Sequence, residues 1–320
     1  AMSRIVITGA GGFVGGAVAR ALRERGDTVV ALVRDPDKAT SLRDLGAELV
    51  RDDLSDADRI ATALRGADAA IHAAGSYRVG IRPSERAAMW DANVGTTTRF
   101  FDATEAAHTP RIVYVSTVNV FGNTRGTVVD ETFRRNPADG FVSWYDETKF
   151  RAHELVEQRI ASGSPTVIVL PSQVYGPGDH SGFGDQLQRA NSGRLAYRAL
   201  DDVGVGLVHV DDLAAGIVGA LDRGVIGRSY VLSGPRVTLG EAVDIAATIG
   251  GRREPRLRLP ATLLKAIAPI GPLIGQPNLL EIISASDGVT YWASADRAAA
   301  ELAWNPRPID EGLGDTFGMA

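Results

Sequence analysis

The sequence predicts an α/β protein built on a doubly wound parallel sheet, and three observations carry that expectation. Short apolar runs alternate with helical patterns through the first two-thirds of the chain. The first of those runs leads into a glycine-rich turn that opens a helix. The alternation breaks late, in a proline-rich stretch from Pro255 to Pro277.

Taken in order, Ile5-Val6-Ile7 reads as a short buried strand. The turn Thr8-Gly9-Ala10-Gly11-Gly12-Phe13-Val14-Gly15 comes next. Val14, Ala17, Val18, Ala21 and Leu22 then recur on one helical face, Gly26 stops the helix, and Thr28 to Val33 reads as a second strand. Leu49-Val50, Ala69 to His72, Ile112 to Val115 and Val167 to Leu170 read as further buried strands, with helical patterns near 56–65, 86–107 and 145–162. Leu207 to Val210 looks like a strand feeding a helix capped by an aspartate of Asp211-Asp212. Tyr230 to Leu232 reads as one more strand. Thr238-Leu239-Gly240-Glu241 is a capping-box pattern, and its helix ends at Gly250-Gly251. The expected division is a dinucleotide-binding part over 1–170 and about 207–232, and a smaller, partly interleaved substrate lobe over about 171–206 and 233–320.

Composition narrows the function. A net charge of −5 gives no basic stripe for phosphate backbones, so nucleic acid is not an expected partner. No cysteine is present, which removes disulfides, thiolate catalysis and cysteine-based zinc sites. The histidines show no metal spacing, and no metal is expected. Ala1-Met2 reads as a cloning remnant, with no signal pattern after it. The apolar stretch Leu259 to Gly275 holds Lys265 and three prolines, too interrupted to span a bilayer. A cytoplasmic protein without a membrane partner is the expectation.

In the strand–turn–helix–strand setting, Gly9 makes the tight turn, Gly12 lets the backbone approach a pyrophosphate and Gly15 lets the helix pack closely. The pyrophosphate would rest on the free N–H groups of the helix N-terminus, beside Phe13 and Val14. The second strand ends Leu32-Val33-Arg34, without the acid that bonds a ribose 2′-OH. Arg34 instead suits a 2′-phosphate, with Lys38 a second candidate, so NADP(H) is preferred and NAD(H) remains open. The other reading of Arg34 is a solvated side chain neutralised by Asp35.

Tyr145 and Lys149 are four apart, which on a helix places them on one face. A neighbouring ammonium and a nicotinamide cation favour the phenolate, and such a tyrosine can move a proton to or from a carbonyl oxygen. Upstream, the strand Ile112 to Val115 ends in Ser116-Thr117, which places a hydroxyl at a strand's carboxyl end. The alternative is that both merely satisfy loop backbone groups.

With these motifs in this order, the chain resembles the extended short-chain dehydrogenases/reductases of the NAD(P)-dependent epimerase/dehydratase group, and within it the dihydroflavonol reductase-like branch. Gly9-x-x-Gly12-x-x-Gly15, His72-Ala73-Ala74, Asn93-Val94-Gly95-Thr96, Pro171 to Asp179, Leu207 to Ala214 and Trp304-Asn305-Pro306 carry the likeness over nearly the whole chain. The resemblance implies a Rossmann-like fold and reduction of an aldehyde or ketone, or the reverse alcohol oxidation, on a small-molecule substrate. It implies Thr117 as the catalytic hydroxyl with Ser116 beside the cofactor, and Tyr145 as acid/base. Lys149 would lower its pKa and bond the nicotinamide ribose, while Asn93 would hold a proton-relay water. Asp53-Leu54 would border the adenine, although a loop acid is an equal reading of Asp53. Ala73 and Ala74 would follow the fourth strand along the cofactor, and Pro171, Gln173 and Val174 would border the nicotinamide. Leu263, Leu264, Ile267 and Ile270 would supply apolar walls, and the helices near 86–107 and 145–162 could pair in a homodimer. Two rivals stay open: a nucleotide-sugar epimerase with tightly bound NAD, and a non-catalytic NAD(P)-binding protein.

Overall fold

Residues 2–255, 257–275 and 278–318 are described by the computed structural model. Ala1 and the end of the proline-rich stretch at Pro277 lie outside them. Twelve strands succeed one another among the described residues: β1 (Arg4–Thr8), β2 (Thr28–Val33), β3 (Glu48–Arg51), β4 (Ala69–His72), β5 (Ile112–Val115), β6 (Thr166–Pro171), β7 (Gln173–Tyr175), β8 (Arg198–Ala199), β9 (Gly204–His209), β10 (Ser229–Leu232), β11 (Arg236–Thr238) and β12 (Arg258–Leu259).

Seven of them form one parallel sheet in the order β10-β6-β5-β4-β1-β2-β3. The chain runs outward from β1 through β2 to β3, then returns to β4 and runs the other way. The strand order therefore reverses between β1 and β4, and in such sheets the crevice at their carboxyl ends receives the ligand.

The apolar strands predicted as buried are buried because helices cover both faces. Val6, Val30 and Ala70 pack with Ile60, Phe100, Phe101 and Val156 on one side. Ile5, Ile7 and Val29 pack with Val18, Leu22, Leu213 and Ile217 on the other. Each buried valine, leucine, isoleucine or phenylalanine among them contributes ~1.5–3 kcal/mol relative to exposure. Strand β3 departs from the expectation: Leu49 and Val50 are only half-buried, and Glu48 and Arg51 are exposed. It is the edge strand, and among the described residues no strand pairs with its outer side.

The remaining strands form a three-stranded sheet, β11-β9-β7, and a two-stranded one, β12-β8. Leu207–His209 thus lies outside the seven-stranded sheet, although the helix it feeds, Val210–Arg223, packs against the helix Phe13–Glu24. That helix is capped differently from the expectation. His209 is the N-cap, its Nδ1 accepting from the Asp211 N–H at 3.2 Å, and Asp211 and Asp212 occupy the first turn. At Thr238 the capping box forms as read: the Thr238 hydroxyl accepts from the Glu241 N–H, and the Glu241 carboxylate accepts from the Thr238 N–H. The expected helix near 86–107 is a composite: an α-helical segment Arg86–Trp90, a π turn Asp91–Gly95 and a further α-helix Thr96–Ala106.

Candidate active site

The glycine turn joins β1 to the helix Phe13–Glu24 beside the loop after β4. Gly9 sits at φ +75°, and a Cβ there would come within 2.6 Å of the Ala73 and Ala74 backbone. A Cβ on Gly15 would stand 2.1 Å from the Gly9 carbonyl oxygen. Both positions therefore exclude a side chain, and the helix start is pressed against the turn. Gly12 is the N-cap and offers no side-chain cap. The first N–H groups of this long helix consequently have no competing side-chain acceptor, which fits a pyrophosphate. Phe13 and Val14, the first helical residues, are half-buried.

At the end of β2, Arg34 is exposed. Asp35, the expected neutraliser, turns instead to Lys38 at 3.5 Å and to Arg51 at 3.9 Å. Among the described residues the Arg34 guanidinium makes no ion pair or hydrogen bond, so it is available to an anionic ligand, whereas Lys38 is already engaged. Asp53 is exposed, and its carboxylate accepts from the Ser55 hydroxyl and N–H, which holds its pKa below the usual range. Leu54 is buried at φ +62°, and its carbonyl accepts from Arg99 Nε at 2.6 Å.

The Ser143 hydroxyl caps the helix Trp144–Ala161, which carries Tyr145 and Lys149 one turn apart. The buried Tyr145 phenol lies close to the Thr117 hydroxyl. Burial, with Tyr77 close by, pushes its pKa above the ordinary tyrosine range, while the Thr117 hydroxyl pulls it down. The protein alone thus keeps the phenol protonated, the reverse of what an adjacent lysine by itself would do. Burial lowers Lys149 to about 8. Its Nζ stands 5.8 Å from the centre of the Tyr114 ring and has no ion pair among the described residues. Thr117 is the N-cap of the 3-10 turn Val118–Phe121, and its hydroxyl also bonds Asn119. Ser116 points elsewhere: its hydroxyl meets His153 Nδ1 at 2.9 Å, in the helix behind.

Asn93 lies in the π turn, a feature that often marks functional sites. Both ends of its side-chain amide are engaged. Oδ1 accepts from the Ser76 N–H at 2.7 Å, and Nδ2 donates to the Ser76 carbonyl and to the Thr148 hydroxyl. The amide ties the loop after β4 to the helix that carries Tyr145. That clasp seats Tyr77, which packs edge-to-face on Tyr145 with ring centres 4.8 Å apart. Ile81, Met89, Val79 and Trp144 complete an apolar wall around Tyr145. Sequence reasoning missed Tyr77 and Ser76; the one available signal was their place just past a strand's carboxyl end.

Pro171 ends β6 and is buried, while Gln173 and Val174 open β7, half-buried. Of the expected apolar walls, Leu264 is buried and Ile267 half-buried, but Leu263 and Ile270 face solvent. His72 is packed between Thr8 and Thr97 hydroxyls, and burial, with the Lys149 charge, holds it down to about 3. His209, Asp211 and Asp315 lie close together. Nδ1 of His209 accepts from the Asp211 N–H, and its buried Nε2 stands 3.0 Å from an Asp315 carboxylate oxygen without making a hydrogen bond among the described residues.

No helix among the described residues is long and apolar enough to cross a membrane. Residues 5–233 match the model of the NAD dependent epimerase/dehydratase family. A Synechocystis protein carrying a dihydroflavonol 4-reductase name is 28% identical, covering 97% of this chain and 92% of its own. A 2-alkyl-3-oxoalkanoate reductase of Stenotrophomonas maltophilia is 27% identical, with 97% of both chains covered. The crystal structure of gox2253 superimposes with a TM-score of 0.85 at 31% identity, covering 99% of this chain and 97% of its own. The chain therefore belongs to the NAD dependent epimerase/dehydratase family, the extended short-chain dehydrogenases/reductases, and is an NAD(P)-dependent oxidoreductase.

Proposed function

We propose that this protein is an NADPH-dependent reductase of an aldehyde or ketone, with Tyr145 as the proton donor. The observation that carries the reading is the convergence of the Thr117 hydroxyl, the buried Tyr145 phenol and Lys149 on the crevice side of the sheet. A bound dinucleotide would supply the hydride. Tyr145 gives its O–H proton to the carbonyl oxygen, Thr117 holds that oxygen by a hydrogen bond, and Lys149 stabilises the phenolate left behind. A phenol held protonated is the form that reduction consumes, so burial favours reduction over alcohol oxidation.

Gly9, Gly12 and Gly15 would cradle the pyrophosphate, with Asp53 and Leu54 toward the adenine and Ala73 and Ala74 alongside. Pro171, Gln173 and Val174 would border the nicotinamide. Arg34, left without a partner by Asp35, would take the 2′-phosphate. The apolar wall of Tyr77, Val79, Ile81, Met89 and Trp144 suits a carbonyl compound with an apolar body. The 2-alkyl-3-oxoalkanoate reductase among the relatives points the same way.

Tyr145→Phe should lower turnover of a carbonyl substrate by about 100-fold or more while NADPH binding, read by fluorescence titration, stays intact. Unchanged turnover would remove the assigned role. Arg34→Ala should raise the KM for NADPH about tenfold and leave that for NADH unchanged. Equal effects on both would place the arginine elsewhere. Purification with bound NAD, and interconversion of a sugar nucleotide without added cofactor, would favour the epimerase reading instead.

A further inference from the structure

The segment from Thr132 to Gly140 runs ahead of the helix that carries Tyr145, and all of its residues but one are exposed. The exception is Arg135, whose side chain is 8% exposed and reaches inward to that of Asp146, 2% exposed. The two meet as a bidentate fork: Nη1 donates to Oδ1 at 2.6 Å and Nη2 to Oδ2 at 2.7 Å. Nη2 also donates to the Gly140 carbonyl at 2.8 Å, and the guanidinium lies over the Phe141 ring, 4.4 Å from its centre. Both the fork and the flat face call for arginine rather than lysine.

Asp146 directly follows Tyr145. Its carboxylate also accepts from the Val142 N–H at 3.1 Å, and its own N–H donates to the Ser143 hydroxyl at 3.0 Å. The pair is thereby fastened to the first turn of the Tyr145 helix. On its other side Arg135 abuts the turn that Thr117 caps. That turn ends at Gly122, at φ +71°, where a Cβ would stand 3.1 Å from the guanidinium carbon of Arg135. Phe133, two residues before Arg135, packs edge-to-face on Phe121 of the same turn, with ring centres 6.1 Å apart. Arg135 thus stands between the two elements whose hydroxyls, of Thr117 and Tyr145, lie close together in the cleft. Both Nη atoms are engaged within the protein, which leaves no fork for a substrate carboxylate.

A buried ion pair is a poor source of stability, because desolvating both charges offsets most of their attraction. What a bidentate pair does supply is geometry, since two parallel hydrogen bonds let neither partner slide past the other. We propose that Arg135 is a positioning residue, which holds the Thr117 turn in register against Tyr145 through Asp146 on one side and Gly122 on the other. Its kinetic consequence rests on the reductase reading above. A shift of about 1 Å between the two hydroxyls would misalign them on the carbonyl oxygen they share, and misplacement on that scale costs up to about 100-fold in rate. The glycine turn, between β1 and the helix Phe13–Glu24, has no part in the pair, so cofactor binding is left as it is.

The test is a double-mutant cycle in the whole chain, with Arg135→Met and Thr117→Ala made singly and together. Arg135→Met alone should lower kcat for a carbonyl substrate about 30-fold or more, with the KM for NADPH within about twofold of the parent. In the Thr117→Ala background the same change should cost less than about threefold, because the register it sets no longer matters. Equal losses in both backgrounds would show that the pair serves folding alone and overturn the proposal. Arg135→Met leaves the Asp146 carboxylate uncompensated. If it does not fold, Arg135→Met/Asp146→Asn, which leaves no buried charge behind, replaces it throughout. Parent-like kcat in that variant also overturns the proposal. Crystal structures of parent and variant give a readout without turnover: the separation of the Thr117 and Tyr145 hydroxyls should widen by about 0.5 Å or more. An unchanged separation defeats the proposal even where the reductase reading stands. A parent protein that reduces no carbonyl counts against that reading instead, and the separation then decides this one.

Discussion

The Lys149 ammonium lies near Gly75 and the Tyr114 ring, and among the described residues no carboxylate pairs with it to compensate its burial. Its pKa of about 8 lies below the ~10.4 of a free lysine. Below about 8 both folded and unfolded chains hold the proton, and the folded state carries the whole cost of burying the charge. Between those values only the unfolded chain holds it, so this residue's contribution to stability rises with pH across that window. Lys149→Met should therefore raise the melting temperature at pH 7, by an amount that shrinks toward pH 10, while lowering kcat about 100-fold or more. A melting temperature that falls as for an ordinary core truncation would contradict this. At this scale the sequence was readable where chemistry follows spacing: Tyr145 and Lys149 are one helical turn apart in any helix. It was silent where a partner comes from a distant loop. Nothing in the order of residues says that Asp35 turns to Lys38 and Arg51, or that His209 displaces Asp211 as a cap.

Among elements, the clasp between the π turn and the loop after β4 is the piece that composes the cleft. Asn93→Ala would leave the Ser76 N–H without its acceptor, at a cost of ~1–3 kcal/mol. Tyr77 would then be released from Tyr145. The expected result is a raised KM for the carbonyl substrate with a smaller change in kcat. Asn93→Asp, which keeps the acceptor, should restore part of it; equal kinetics for alanine and wild type would show that the clasp does not shape the cleft. The long elements were legible because periodicity accumulates over several turns, and the capping box at Thr238 added a local signal. Strands of two or three residues, such as β8 and β11, carry too few positions for any period to show. Edge position also escapes periodicity, which is why β3 read as buried.

Over the whole molecule, Glu131 joins the far edge of the sheet to the C-terminal segment. Its buried carboxylate accepts from the Val231 N–H of β10 at 2.8 Å and faces Arg297 at 3.7 Å. Glu131→Ala should destabilise the fold by ~1–3 kcal/mol through the orphaned N–H, read as a lowered denaturation midpoint at unchanged slope. A midpoint within error of wild type would show that water replaces the carboxylate. Alternation of strands and helices announced the parallel sheet, yet which side of Leu263 and Ile270 meets solvent depends on neighbours far away in the chain.

The π turn at Asp91–Gly95 also acts as a phase shift. It holds one residue more than the α-helical turn it replaces, so the helix after it is rotated by about 100° relative to the segment before it. Met89 accordingly faces the Tyr145 cleft while Phe100 and Phe101 face the sheet. Deleting a single residue there would straighten the helix and force a choice between an intact core and an intact cleft.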